Sequence, residues 1–217
     1  MMSPSPDPGA WSGALAGVSF VGGVASAMAL ADSPYPRPGT DVAAVQAYFQ
    51  GSSGPARVSV IGQLVSAVSL GRFTMSVARL AGRSGARARL LRAAAIAGGS
   101  VAVGSLVVSA LGSAALTGRP GEREGTARSL HRLVFAAGGP VHTSAFGLLV
   151  GVLAVAGLRT GELPRPLAAA GLGSAVAGLL SPLAFPVQSA AVLIPAGRVS
   201  GLLVSGIAGA RLARRAG

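Results

Sequence analysis

Hydrophobic positions in this chain neither alternate nor mark out one helical face; they continue around the whole circumference. Six such stretches lie at roughly 12–31, 57–80, 93–117, 130–157, 166–183 and 187–210, and all are rich in Gly, Ala and Ser. About 20 mostly apolar residues cross the ~30 Å of hydrocarbon in a bilayer, and a helix that is apolar all round must be buried in protein or in lipid. The pattern predicts an all-α fold, a polytopic transmembrane helix bundle of about six spans forming a single integral membrane domain over 1–217. Breakers separate the stretches: Pro34, Pro36 and Pro38 after the first, Pro55 before the second, and Gly118 with Pro120 after the third. Pro164 and Pro166 precede the fifth, and Ser181-Pro182 through Pro186 turns into the sixth. An alternative start for the last helix is Pro195, which would leave 183–194 as a surface segment.

Two segments admit a second reading. Ala29-Leu30-Ala31 has the small-x-small form of a signal-peptidase site, but the region before it contains Asp7 and no Arg or Lys, whereas a secretory n-region is positive. The longest connection, 32–56, contains a short amphipathic helix with Thr40 as N-cap and Asp41 in its first turn. Val42, Val45 and Phe49 share a face with Tyr48 beside it, and that face is expected to lie on the head groups as an anchor rather than close the bundle as a lid. Trp11, Tyr35, Tyr48 and Phe49 are the few candidates for an interfacial belt.

Small residues four apart recur in nearly every span, among them Gly13/Gly17, Ser19/Gly23, Ser105/Ser109, Gly147/Gly151, Ser174/Gly178 and Gly197/Gly201. Such spacing lets helix backbones approach closely where lipid supplies no hydrophobic push. A tight bundle follows, although the motifs are too common to single out one interface.

Charge changes the picture. The chain has 18 basic residues, all arginine, against six acids. A basic groove-sized domain is absent, so nucleic acid is not the partner; the arginines read as orientation signals and as contacts to anionic lipid head groups. Ten of them (Arg79, Arg83, Arg87, Arg89, Arg92, Arg159, Arg165, Arg211, Arg214, Arg215) fall on the side of the N-terminus, and five (Arg37, Arg57, Arg119, Arg123, Arg128) on the other. The positive-inside rule then places both termini in the cytoplasm of a bacterial cell, with a multi-pass protein in its cytoplasmic membrane. The six acids, Asp7, Asp32, Asp41, Glu122, Glu124 and Glu162, all avoid the spans, while Arg72, Arg198, His131, Arg132 and His142 lie in them or at their edges. A charge in hydrocarbon usually faces a bundle interior or a watery cavity, and here no acid within a span is available to pair with it.

Candidate chemistry gathers on three spans. The second carries Gln63 and a stripe of Ser69, Arg72, Ser76 and Arg79; Arg72, ~22 Å below Arg57 at 1.5 Å per residue, either lines an interior or snorkels to the near surface. On the fourth, His131 and His142 share a face, and Gly138-Gly139-Pro140 interrupts the helix as a hinge. Pro140 donates no hydrogen bond, so backbone carbonyls are freed there, with Thr143 and Ser144 placed to satisfy them. A broken span beside a histidine is a usual pointer to a binding site. On the sixth, Arg198 lies ~17 Å deep if the helix is long and near its edge if short. His131 and His142 are ~16 Å apart along the helix, so they share no metal, and no metal or cofactor is expected. No nucleotide loop, metalloprotease motif or nucleophile elbow occurs.

The stretch GPVHTSAFGLLVG (139–151) and the ending LIPAGRVSGLLVSGIAGARLARR (193–215) resemble small six-span membrane proteins of high-GC actinobacteria. The resemblance covers most of the chain and implies six helices; it brings no reaction and no catalytic residue.

These features point to an interior lined from the second, fourth and sixth spans that binds or translocates a small amphipathic anionic molecule. His142, Arg72 and Arg198 are the expected contacts, with Gln63 and His131 beside them. A membrane enzyme acting on a prenyl or lipid substrate, such as a terpenoid cyclase, would need a proton donor, and only Asp41 and Glu162, at the rims, or His142 offer one. A structural accessory subunit would need no pocket.

Overall fold

The computed structural model describes residues 9, 11–37, 39–51 and 53–215, with the backbone alone at Gln188 and Arg215. The helices are α1 (Ser12–Leu30), α2 (Val42–Gly51), α3 (Ser53–Gly82), α4 (Ala88–Leu116), α5 (Arg119–Glu122), α6 (Glu124–Ala136), α7 (His142–Thr160), α8 (Arg165–Leu180) and α9 (Leu193–Arg215). A π turn over Ala137–Val141 joins α6 to α7 into one span. Among the described residues, six helical segments are long and apolar enough to cross a membrane: Ser12–Leu30, Ser53–Gly82, Gly85–Leu116, Glu124–Thr160, Arg165–Ala184 and Ser189–Arg214. That is the make-up of a multi-pass membrane protein. The first is a continuous helix from Ser12 to Leu30 that packs on α3 and α9; Asp7 lies outside the described residues.

The spans close into a ring. In order around it, α1 packs on α3, α3 on α4, α4 on α7, α7 on α8, α8 on α9, and α9 returns to α1, while α7 leans inward against α3 and α9 as well. Glycine sets the closeness of several contacts. A Cβ on Gly23 would lie 2.8 Å from the Cα of Gly62, so α1 and α3 touch backbone to backbone. At a second crossing, a Cβ on Gly178 would lie 2.7 Å from the Thr143 carbonyl oxygen, and one on Gly197 would lie 2.6 Å from the Gly178 nitrogen. Helices α7, α8 and α9 thus meet at one glycine-lined point, as small-residue packing requires. Outside the ring, Val18, Val68, Leu90 and Leu203 are each more than 60% exposed; such a continuous apolar surface belongs in lipid, not water.

One end of the bundle carries 31–37, 39–51, 117–123 and 181–192, and the other carries the start of α1 and the end of α9 with the connections at 83–87 and 161–164. At the second end α7 stops at Gly161, whose φ of 72° suits glycine, and Arg83 pairs with Glu162 at 3.6 Å.

The first end departs from expectation. Helix α2 begins at Val42, one residue after the expected first turn, with the Asp41 carbonyl accepting from Val45 N–H. Its apolar face does not anchor on head groups. Val42, Val45, Tyr48 and Phe49 are buried against Ala56, Leu116, Ala127 and Val134 of the bundle, so α2 is a lid. The amides flanking that face fasten it: Gln46 Nε2 donates to the carbonyls of Gly121 and Glu122 at 2.9 and 2.8 Å, and Gln50 Nε2 to that of Leu116 at 3.3 Å. The last helix falls between the two expected forms, its membrane-length segment counting from Ser189. Its α-helical part starts at Leu193, after 3-10 turns over Ser181–Ala184 and Gln188–Val192.

Candidate functional site

Beneath the lid lies a cavity of about 350 Å³, walled by five of the six spans and by the lid. Phe20, Val24 and Met28 come from α1, Ser59 and Gln63 from α3, Ser109 and Ser113 from α4, Val134 and Phe135 from α6, and Ile194 with Arg198 from α9. Tyr35, Tyr48 and Phe49 close its upper side, packed edge to face with ring centres 5.1–6.0 Å apart. These three aromatics therefore cover a chamber and do not form a membrane belt. Burial in the lid raises the Tyr48 phenol above its ordinary pKa, because the phenolate would lose its water.

The break in the fourth span and the cation of the sixth meet at this chamber. Pro140 has no N–H and its ring opposes a regular helix; the chain answers with a π turn in which Gly139 leaves helical geometry, at φ −99° and ψ −107°. The exposed carbonyls are not capped by Thr143 and Ser144 as expected. Arg198 Nη2 donates to the carbonyls of Gly138 and Gly139 instead, and Ser181 Oγ donates to that of Pro140 at 3.1 Å. Ser144 turns to the Gly178 carbonyl at 3.1 Å, and the buried Thr143 hydroxyl has no partner. The Arg198 guanidinium also sits over the Phe20 ring, 4.7 Å from its centre, a cation–π contact.

No carboxylate answers Arg198 among the described residues, and its buried Nε–H has no acceptor. Gln63 is in the same condition: its Nε2 donates to Ser59 at 3.2 Å, while its buried Oε1 is unpartnered. An unmade hydrogen bond on a buried polar atom costs about 1–3 kcal/mol. One cation, one amide and hydroxyls therefore line the chamber in an otherwise apolar wall, with Arg198 Nε and Gln63 Oε1 buried in that wall.

The remaining sequence candidates are placed apart from this pair. His142 is buried behind the chamber wall, its ring stacked between Phe20 and Phe146 at 6.3 and 5.8 Å. Its Nδ1 donates to the Ala102 carbonyl at 3.0 Å, where the Ser105 hydroxyl also donates at 2.9 Å. His142 thus supports Phe20 from within the bundle. His131 secures the lid, its Nε2 donating to the Pro36 carbonyl at 3.2 Å with the ring beside Tyr35. Arg72 is exposed on the outside of α3 and does not line the chamber. The stripe that contains it is split, since Ser69 and Ser76 are buried while Arg72 and Arg79 face outward.

Sequence reasoning missed Phe20, the lid aromatics as chamber walls, and the hydroxyls of α4. Ser105, Ser109 and Ser113 recur every four residues and all are buried; that spacing was a legible sign of a polar stripe facing inward. Compared with protein-family models, curated proteins and solved structures, the chain finds no match.

Proposed function

We propose that this protein binds or translocates a small amphipathic anionic molecule in the chamber under the lid. The observation that carries the reading is Arg198: a cation lining an apolar cavity, held by backbone carbonyls and a ring, with a donor unused and no carboxylate paired with it among the described residues. Such a group favours a carboxylate or phosphate that brings both charge and acceptors. The cavity's volume falls at the small end of the range for ligand sites, and its mostly apolar lining suits a ligand with a hydrocarbon body. Positive-inside counting places the lid on the outer face of a bacterial cytoplasmic membrane, with both termini in the cytoplasm.

The reading of a lipid-modifying enzyme has less support. Glu162 sits with Arg83 at the far end of the bundle, Asp41 lies in a surface groove beside Arg128 and Arg132, and no carboxylate lines the chamber among the described residues. Protonation-initiated chemistry has no acid there.

The test is a panel of small carboxylates and phosphates, with and without alkyl tails, against the purified protein in neutral-lipid nanodiscs and in liposomes. Tailed anions should raise the melting temperature and show flux or exchange, and neutral isosteres should do neither. No stabilisation and no flux across the panel would overturn the reading.

A further inference from the structure

A second cavity, of about 930 Å³, adjoins the chamber at the lid end and lies between α6 and the connection 184–195. Its polar lining is Arg37 from the connection before the lid, with His131 and Arg132 from α6. Its apolar lining is Phe135, Phe185, Ile194 and Pro195. Phe135 and Ile194 line both cavities, so these two side chains form the partition between Arg37 and Arg132 on one side and Arg198 on the other. Neither Arg37 nor Arg132 pairs with a carboxylate among the described residues; nearby Arg128 is neutralised by Glu124 at 2.8 Å, and Asp41 shares a second groove with Arg132 without forming an ion pair with it.

The position of this cleft shows what it opens onto. The segment 181–195 has no charged residue, and its Leu183, Phe185, Val187 and Val192 are 47–65% exposed. An uncharged connection that turns large apolar side chains outward at the end of a membrane bundle is immersed in lipid, since water would leave that surface uncovered. The cleft therefore has an apolar lip in the bilayer and two guanidinium groups at head-group level.

From this juxtaposition we infer that the cleft is a lateral portal. It takes an anionic amphiphile from the lid-side leaflet, holds its head group on Arg37 and Arg132, and admits it between Phe135 and Ile194 to Arg198. The inference rests on the chamber being the ligand site and adds the source of the ligand, the capture residues and the gate.

The experiment uses the full chain in phosphatidylcholine nanodiscs and octyl phosphate as probe, with octanol and inorganic phosphate as controls. Equilibrium affinity and association rate are measured for the wild type, R37Q/R132Q, I194W and R198M. Each arginine near a membrane surface contributes about 1 kcal/mol toward an anion, so R37Q/R132Q should slow octyl phosphate association by about thirtyfold. I194W, filling the gate, should slow it further, and R198M should abolish retention. Both arginines are on the surface, so the double variant keeps the fold even if I194W does not. If R37Q/R132Q leaves the rate unchanged while R198M still abolishes retention, the portal is overturned and the chamber stands. Binding that depends on Arg37 and Arg132 but not on Arg198 overturns transfer to the chamber, and with it both readings. Inorganic phosphate competing as well as octyl phosphate overturns the leaflet as the source.

Discussion

Replacing Arg198 with methionine removes the guanidinium and keeps most of the side-chain length, so it separates the functional role of the charge from its structural one. Placing an arginine at the centre of a span costs about 2.5–3.5 kcal/mol. Arg198 lies about 8 Å into α9 at 1.5 Å per residue, so removing the charge relieves nearer to ~2 kcal/mol. Against this, the Gly138 carbonyl loses its charged donor, which costs about 1–3 kcal/mol, and the Phe20 contact is lost, which costs about 1 kcal/mol. The losses exceed the relief by only about 1 kcal/mol. For a chain of this size, that lowers the melting temperature by about 3 °C. Ligand response should change far more. At a hundredfold excess over Kd a bound ligand stabilises by about 2.7 kcal/mol, or about 8 °C on the same conversion. Thermal unfolding in detergent, with and without octyl phosphate, reads both quantities. Wild type should show the ligand shift, and R198M should melt slightly lower with none. A drop of more than about 10 °C would make Arg198 a strut for the broken helix. A preserved ligand shift would refute its role as counter-charge.

Three further outcomes follow from the packing. Gly178→Leu places a side chain where a Cβ alone would already lie 2.7 Å from the Thr143 carbonyl oxygen; overpacking of at least about 1–3 kcal/mol should separate α8 from α7 and α9, seen as a lower melting temperature by circular dichroism. His131→Ala removes the tie to Pro36 and should raise amide hydrogen exchange across residues 42–51 with little effect on the spans; unchanged exchange would mean that Gln46 and Gln50 hold the lid alone. Arg72→Leu, on the lipid-facing side of α3, should leave octyl phosphate affinity within about twofold, since exposed charges contribute about 0–1 kcal/mol; a larger loss would place Arg72 on the ligand path.

The spans were readable because hydrocarbon thickness imposes a length that the sequence must meet, and the break at Gly138-Gly139-Pro140 because proline chemistry is local. What satisfies the break was not readable. Its donor, Arg198, lies 60 residues away on another helix, and no local pattern records that the two adjoin. The inward faces of the spans were obscured for a related reason. Gln63 and Arg72, nine residues apart, fall on opposite faces of α3, but with Gly, Ala and Ser on every side nothing marked which face turns inward. The lid was half legible. Val42, Val45 and Phe49 announce one apolar face, yet lipid and protein satisfy such a face equally; Gln46 and Gln50, amides at the edge of that face within reach of backbone carbonyls, decided for protein. His142 drew attention because a buried histidine beside a broken helix is chemically suggestive, but two phenyl rings and one carbonyl use up much of its surface.

The most direct measurement is an experimental structure in a lipid nanodisc with octyl phosphate present. The account predicts density in the chamber with its head group within about 3 Å of the Arg198 guanidinium and its tail between Phe20, Val134 and the lid aromatics. A chamber filled by its own side chains, with Arg198 turned out to the head groups or set against a carboxylate, would contradict it.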